Sequence, residues 1–317
     1  MIKDANIFIT GPNGGIGLEV VKILSKRKAK SIALACRTAE KAVWTQQEVL
    51  KHHDTDTLLA PYGGFDMNDA TAIEQAVAKL PQKPFDIIFL QAGGMVVAND
   101  FQFVQANGLQ VEKTVYQNVI GAYITLLHLE KRALVAPNVR IVFPGGEGAR
   151  GIKGMIKKPE FQSVEAFKTY LLQGLGKYKD IDALGISKFM SGLLVQQLAE
   201  MDKSKEYVWF SPGLTSGTNG LRDVAQPKRF VMEKIGFPMM NLLGIAQSPQ
   251  KAAHKFVESL DGTYGKSGDL LGAPEGKGLG KIVDQKPMNA GLTNLQFRQA
   301  FWEIVKECVG GLVVSEV

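Results

Sequence analysis

The sequence predicts a doubly wound α/β fold, a parallel sheet with helices on both faces. Short apolar runs alternate with segments of helical period, and this alternation is the pattern of right-handed βαβ units. A glycine-rich turn joins the first apolar run to the first helical segment, as a sheet of this kind requires where it binds a ligand. The strand-like runs are NIFIT (6–10), SIALAC (31–36), TLLAPY (57–62), DIIFLQ (86–91), RIVFPG (140–145) and YVWFS (207–211).

The segments between them read as helices. After Gly15, the positions Ile16, Val20, Val21, Ile23 and Leu24 form an apolar face, and Lys26 to Lys30 form a basic, exposed end. Further helices are predicted over Ala39 to His52, Ala70 to Leu80, Val111 to Leu129 and Leu295 to Cys308. Residues 146–182 are irregular and rich in Gly and Lys, with a short helix expected near Val164 to Leu172. The segment is either a substrate lid or a neutral surface insertion. From Pro227 to Pro249 the chain turns apolar, with Phe230, Met232, Phe237, Met239 and Leu243 fitting core or a lid over a hydrophobic ligand.

The chain has 317 residues, 45% hydrophobic and 21% charged, and fits one globular α/β domain with a large core. Residues 1–145 are expected to hold a dinucleotide, 146–182 to form the insertion or lid, and 183–317 to form the substrate side with a C-terminal extension. The net charge of +6 is spread along the chain as solvated lysines and arginines, and no motif speaks for nucleic acid. Cys36 and Cys308 suggest neither a disulfide framework nor a zinc site. With no stretch of membrane-spanning length and a first strand beginning at Asn6, a cytoplasmic protein without a signal peptide is expected. The oligomeric state is open.

TGPNGGIG, Thr10 to Gly17, follows a strand and opens a helix, the context in which a glycine fingerprint carries meaning. Gly11 allows the tight turn, Gly15 the approach of backbone to pyrophosphate, and Gly17 the packing of helix on strand; the helix N-terminus offers unpaired N–H groups to phosphate. About 20 residues on, NAD-binding folds place a carboxylate for the ribose hydroxyl. Here the residue is Arg37, whose guanidinium can grip a 2′-phosphate, with Thr38 and Lys41 as helpers, so NADP(H) is the expected cofactor. The plainer role for Arg37 is a solvated strand end. Asp66 could accept from the adenine amino group, with the Met67 N–H in reach, or could cap the following helix.

Taken in order, TGPNGGIG, Asp66, QAGG (91–94), NVIG (118–121), SK (187–188) and SPG (211–213) resemble the short-chain dehydrogenase/reductase family over most of the chain. The resemblance implies a Rossmann-type fold and extends the cofactor contacts to Asn13, Ile16, Gln91, Ala92, Gly93, Lys188, Pro212 and Gly213. ACR (35–37), the long insertion and FWEIVKECVG (301–310) look most like the branch of retinol dehydrogenases and light-dependent protochlorophyllide reductase. Of the family's catalytic Asn, Ser, Tyr and Lys, the resemblance places Asn118 and Lys188. Leu184 stands at the tyrosine position, four before Lys188, and Gly145 and Gly146 stand where the family shows paired serines. Gln91 replaces an Asn common in the family.

A positioned general acid is worth about 10²- to 10⁴-fold, roughly 3 to 5 kcal/mol, and an oxyanion donor a comparable amount. The sequence therefore predicts an atypical NADP(H)-dependent oxidoreductase acting on a hydrophobic carbonyl or enone, or else a silent NADP(H)-binding sensor or scaffold. Tyr178 and Glu147 are alternative proton donors, set against a surface tyrosine and an ordinary acidic side chain. His128 is expected to pack in the interior, and His52 and His53 to be a solvated helix end. No His, Cys and carboxylate cluster has metal-ligand spacing.

Overall fold

A computed structural model describes residues 1–51, 54–216 and 246–312. The strands are β1 (Asn6–Thr10), β2 (Ser31–Ala35), β3 (Leu58–Tyr62), β4 (Phe85–Phe89), β5 (Phe103–Ala106), β6 (Leu109–Glu112), β7 (Val135–Pro144), β8 (Glu206–Phe210), β9 (Leu270–Gly272) and β10 (Val283–Asp284). The helices are α1 (Gly15–Lys26), α2 (Ala39–Leu50), α3 (Ala70–Ala78), α4 (Lys113–Val115), α5 (Gly121–Lys131), α6 (Val164–Leu172), α7 (Asp180–Met201), α8 (Pro249–Leu260) and α9 (Leu295–Val309).

All six apolar runs lie in one sheet, in the order β3-β2-β1-β4-β7-β8-β9-β10. The pairs are parallel except for β10 on β9. Chain direction across the sheet reverses between β1 and β4, so the ligand crevice of a doubly wound fold opens beyond the carboxyl ends of these two strands. Both faces are covered. Val20, Val21 and Leu24 of α1, Val49 of α2 and Phe256, Val257 and Leu260 of α8 bury one face. The helices α3, α5, α7 and α9 bury the other around Phe8, Ile88, Ile141 and Trp209.

Arg140, on β7, is a charged side chain buried within the sheet. Its guanidinium donates to the carbonyls of Ser259, Tyr264 and Gly265 and pairs with the Glu206 carboxylate. These acceptors fix the end of α8 to β7 and β8, and removal of one partner would strand the others without water.

The predicted helix over Val111 to Leu129 is corrected. Val111 belongs to β6, and the helix starts at Lys113, capped by Glu112 accepting from the N–H groups of Thr114 and Val115 at 2.9 Å each. It then passes through a π-turn, Tyr116–Ile120, before α5. The preceding antiparallel hairpin β5–β6 turns at Asn107 (φ 46°) and Gly108 (φ 88°), both in the left-handed region. Asn-Gly suits such a turn because neither residue pays the full steric cost of positive φ. Asn107 donates to the Cys308 carbonyl at 2.7 Å, tying the hairpin to the end of α9.

Residues 146–182 hold a 3₁₀ turn (Glu147–Arg150), a small hairpin closed by the Ile152–Ile156 bridge, and α6, which begins at the expected Val164 under a Ser163 cap. The predicted apolar segment 227–249 lies mostly outside the described residues, as do His52 and His53. Among the described residues no helix is long and apolar enough to cross a membrane. Both cysteines are free and buried.

Candidate functional site

The site is built where two loops meet at the carboxyl ends of β1 and β4. Gly11 takes φ +66°, and a Cβ there would lie 3.0 Å from Ala92 Cα. A Cβ on Gly17 would lie 2.7 Å from the Gly11 carbonyl oxygen and 2.8 Å from Gln91 Oε1. The turn and the QAGG loop therefore touch backbone to backbone, and Thr10 Oγ1 accepts from the Ala92 N–H at 2.9 Å. Helix α1 starts at Gly15 after Gly14, which offers no side-chain cap, so the first N–H groups point outward beside the glycine turn. Ile16 packs on the apolar layer beneath α1.

The Gln91 side chain sits inside this junction, and its Oε1 is buried without a hydrogen-bond partner. A buried acceptor left unpaired costs about 1 to 3 kcal/mol, which makes a donor from a ligand favourable here. Asn13 accepts from the Cys36 thiol at 3.6 Å, linking the turn to the end of β2. One residue further, Arg37 is exposed, and among the described residues no acidic group pairs with its guanidinium. Thr38 is engaged as the cap of α2, accepting from the Lys41 N–H at 3.4 Å, and Lys41 lies one turn into that helix.

Asp69, accepting from the Ala72 N–H at 2.9 Å, caps α3, so the expectation that Asp66 might do so is corrected. Asp66 instead holds the turn before it, its Oδ1 accepting from the Asn68 N–H at 3.0 Å. Met67 is buried, and its carbonyl abuts Gly121, where a Cβ would lie 2.1 Å from the oxygen. This contact brings the π-turn up against the loop after β3.

Asn118 is buried in the π-turn. Its Oδ1 accepts from the Gly94 N–H at 3.0 Å, while Nδ2 donates to the carbonyls of Gly94 at 2.8 Å and Thr114 at 2.7 Å. Every hydrogen-bonding direction of its amide but one lone pair is thereby spent on backbone. Gly93 is required beneath it, because a Cβ there would lie 2.4 Å from Asn118 Oδ1.

At the other end of the cleft, Lys188 is partly buried on α7 and Nζ donates to the Pro144 carbonyl at 3.0 Å. Burial of the ammonium pulls its pKa down to about 8. Leu184 lies one turn earlier on the same helix, and its carbonyl accepts from the Ser187 hydroxyl at 2.8 Å. The two glycines differ. A Cβ on Gly145 would lie 2.6 Å from the Trp209 ring, whose Nε1 donates to the Lys188 carbonyl at 3.1 Å. On Gly146 it would meet only the flexible Lys188 stem, at 3.1 Å.

The alternative donors are placed elsewhere. Tyr178 precedes α7 and is buried, not a surface residue, with its hydroxyl donating to the Val96 carbonyl at 2.8 Å and lying 3.2 Å from Thr114 Oγ1. Burial pushes its pKa up to about 12. Glu147 is buried: both carboxylate oxygens lie 2.8 Å from Ser211 Oγ, and Oε1 accepts from the Ala273 N–H at 3.1 Å. This joins β8 to β9. His128 is buried on α5, where desolvation lowers its pKa and favours the neutral ring. Pro212 and Gly213 form a turn held from outside, with the Pro212 carbonyl accepting from Gln247 Nε2 at 2.7 Å and Lys255 Nζ at 2.9 Å. Gly213 needs its φ of +101°, and a Cβ would lie 2.8 Å from the Gly278 carbonyl. Among the described residues no three His, Cys, Asp or Glu side chains come together as a metal site.

Residues 5–143 match the family model for short chain dehydrogenase. A curated relative, the short chain dehydrogenase atnD of Emericella nidulans, is 25% identical over 128 residues, which is 40% of this chain and 38% of that protein. Among solved structures, the NADPH-dependent 3-quinuclidinone reductase of Rhodotorula rubra aligns with a TM-score of 0.58 at 16% identity, over 84% of this chain and 88% of that one. A cofactor-bound short-chain dehydrogenase/reductase of unknown function from Caenorhabditis elegans gives 0.57 at 17% identity, over 83% and 90%. The 3-ketoacyl-(acyl-carrier-protein) reductase of Brucella melitensis, complexed with NADH, gives 0.50 at 15% identity, over 82% and 92%. The chain thus has the single-domain Rossmann-like α/β fold of these structures. Their cofactors differ, so the fold by itself does not select between NADH and NADPH.

Two outcomes follow from this geometry. Gly145→Ser is expected to destabilise the protein by about 1–3 kcal/mol in chemical denaturation, through overpacking against Trp209, while Gly146→Ser stays within about 1 kcal/mol of the parent. For Lys188, the folded pKa of about 8 lies below the ordinary lysine value of 10.5. As pH rises between them the folded state gives up a proton that the unfolded chain keeps, so this group adds stability across that window. Cys36 and Cys308, with thiols raised by burial to about 11 and about 12, act in the opposite sense above their ordinary value of 9.0. The difference in unfolding free energy between the parent and Lys188→Met, followed from pH 7 to pH 10, isolates the lysine; it should move in the parent's favour with rising pH.

Proposed function

We propose that this chain binds NADP(H) and works as an atypical oxidoreductase of the short-chain dehydrogenase/reductase type on a hydrophobic carbonyl or enone compound, without a tyrosine proton donor. The observation that carries the reading is Arg37, exposed after the end of β2 and without an acidic partner among the described residues, beside the interlocked Gly11–Gly17 turn. A carboxylate at that place would favour a free ribose hydroxyl, whereas a guanidinium favours a phosphate.

The residues fit a dinucleotide. The uncapped start of α1 would hold the pyrophosphate through Gly15, Ile16 and Gly17 N–H groups, with Asn13 beside them. Arg37, with Lys41, would hold the 2′-phosphate, and Asp66 and Met67 the adenine. The orphaned Gln91 Oε1 would gain a donor from the ribose side, with Ala92 and Gly93 lining the same edge. Lys188, Pro212 and Gly213 would face the nicotinamide half. When bound there, the nicotinamide supplies two-electron hydride chemistry. Lys188 Nζ is the titratable donor left beside the positions that Leu184 and Gly146 occupy, and its lowered pKa lets it exchange a proton near neutral pH. The likeness to the retinol dehydrogenase and protochlorophyllide reductase branch agrees with a hydrophobic substrate.

One observation favours the second reading, a silent NADP(H)-binding protein: the Asn118 amide is engaged by backbone, and Trp209 occupies the space a side chain at 145 would need. Two experiments decide. Arg37→Ala should lower the preference for NADPH over NADH by roughly tenfold or more in titrations, since a desolvated phosphate contact is lost; an unchanged ratio refutes the cofactor assignment. A panel of ketones, aldehydes and enones with NADPH should show slow turnover, and Leu184→Tyr with Gly146→Ser should raise carbonyl reduction by about 10²-fold. Tight NADPH binding with no turnover on any of the panel points to the silent protein.

A further inference from the structure

Away from the glycine turn, the chain forms a second concavity of about 760 Å³, within the usual range of small-molecule sites. Its walls come from the hairpin after the 3₁₀ turn, the first turn of α7 and the loop at Glu275 and Gly276. The hairpin is held in shape: Ile152 and Ile156 exchange backbone hydrogen bonds of 2.9 Å, and Gly151 takes φ +79° where a Cβ would lie 2.7 Å from Lys158 Cα. Ile152, Ile156, Ile181 and Met288 give the cavity an apolar lining.

Charge on the rim is one-sided. Arg150, Lys153, Lys157, Lys158 and Lys179 line the cavity against only Asp182 and Glu275. Arg150 is engaged by Gln285 and the carbonyls of Pro274 and Lys277, at 2.7 to 2.9 Å, and so builds the floor. Asp182 is turned to the Lys157 backbone N–H at 2.8 Å. Lys158 pairs with Glu160 at 3.4 Å. Among the described residues, Lys153, Lys157 and Lys179 have no carboxylate partner, and three ammonium groups held around one cavity repel each other unless an anion joins them.

The cavity backs onto the altered catalytic positions. Ile156 fills the space between Gly148 and Gly185, its Cγ2 lying 2.7 Å from where a Gly185 Cβ would be and its Cδ1 3.4 Å from that of Gly148. Gly185 follows Leu184, and Gly148 is two residues beyond Gly146. Ile181, in the wall, is about one helical turn before Leu184 on α7.

We propose that this cavity takes an amphipathic anion, an apolar carbon skeleton ending in a carboxylate or phosphate, with the anionic group among Lys153, Lys157 and Lys179 and the skeleton on Ile152, Ile156 and Ile181. That this ligand is the substrate rests on the oxidoreductase reading; that the cavity binds it does not. Isothermal titration calorimetry with dodecanoate, dodecyl phosphate and dodecanol, each below its micellar concentration, tests the site on the full chain. Both anions should bind more tightly than the alcohol and weaken as salt rises. Lys153→Gln, Lys157→Gln and Lys179→Gln combined should weaken the anions about tenfold and leave the alcohol unchanged. The exposed lysines carry no fold contacts that the substitution would break, and the salt series on the parent protein needs no variant. Equal binding of anion and alcohol, or no effect of the triple substitution, overturns the proposal. So does lysine-dependent cosedimentation with phosphatidylglycerol vesicles without binding of monomeric dodecanoate, which would make the hairpin a lipid contact. NADPH titration of the same triple variant should match the parent; failure of NADPH to bind either protein sinks the cofactor reading and leaves the anion site to be judged by its own titrations.

Discussion

The constraint on which the rest depends is the contact between the glycine turn after β1 and the QAGG loop after β4. Gly11 lies against Ala92 at a tight 3.0 Å with a positive φ, Gly17 against the Gly11 carbonyl and Gln91, and Gly93 against Asn118, the last two with contacts under 3.0 Å for a Cβ. The order of these contacts matters. Because Asn118 clamps Gly94 from one side and Thr10 holds Ala92 from the other, the loop cannot relax away from the turn. The free N–H groups of α1 are therefore presented at a fixed place beside a rigid edge, which is the preorganisation that anion binding at a helix start needs. The π-turn serves the same junction, since it lets Gly121 press on Met67 while Asn118 faces the loop.

The far end of the cleft is equally committed. Its side chains are spent on packing or on backbone: Asn118 on the loop, Trp209 on the space over Gly145, Glu147 on the ends of β8 and β9. Lys188 is different. Its single acceptor, the Pro144 carbonyl, does not neutralise it, and desolvation leaves it with a pKa of about 8. A lysine so desolvated is costly to keep, and among the described residues no carboxylate forms an ion pair with it.

How much of this was legible in the sequence depended on the range of the interaction. Strands β1 to β4, the glycine turn, Arg37 at a strand end and α6 at Val164 followed from local period and spacing. The β5–β6 hairpin was also local, since Asn107-Gly108 is a strong turn signal; it was missed because the apolar residues at Val111 and Val115 fitted a helical period as well as a strand. The cap at Asp69 rather than Asp66 was a choice between two acidic residues three apart, which sequence leaves open until the first helical N–H is known. Tyr178 and Glu147 were beyond reach for another reason. Their partners, Thr114, Val96, Ser211 and Ala273, lie 64 to 126 residues away, and no period in the chain encodes such pairings.

Charge shows the same limit in its sharpest form. Read along the chain, the excess of lysine looks evenly spread, and even spreading implies a solvated surface with no special field. Folding changes the count that matters. The hairpin closed by the bridge between Ile152 and Ile156 carries Lys153 and Lys157 to the rim of one cavity, and Lys179, just before α7, joins them there. Repulsion between like charges falls off slowly over such distances, so a field arises from residues that are unremarkable one by one. A net charge of +6 therefore says little about partners until the fold shows which of its charges share a cavity, and here the cavity wall at Ile181 lies about one helical turn from Leu184.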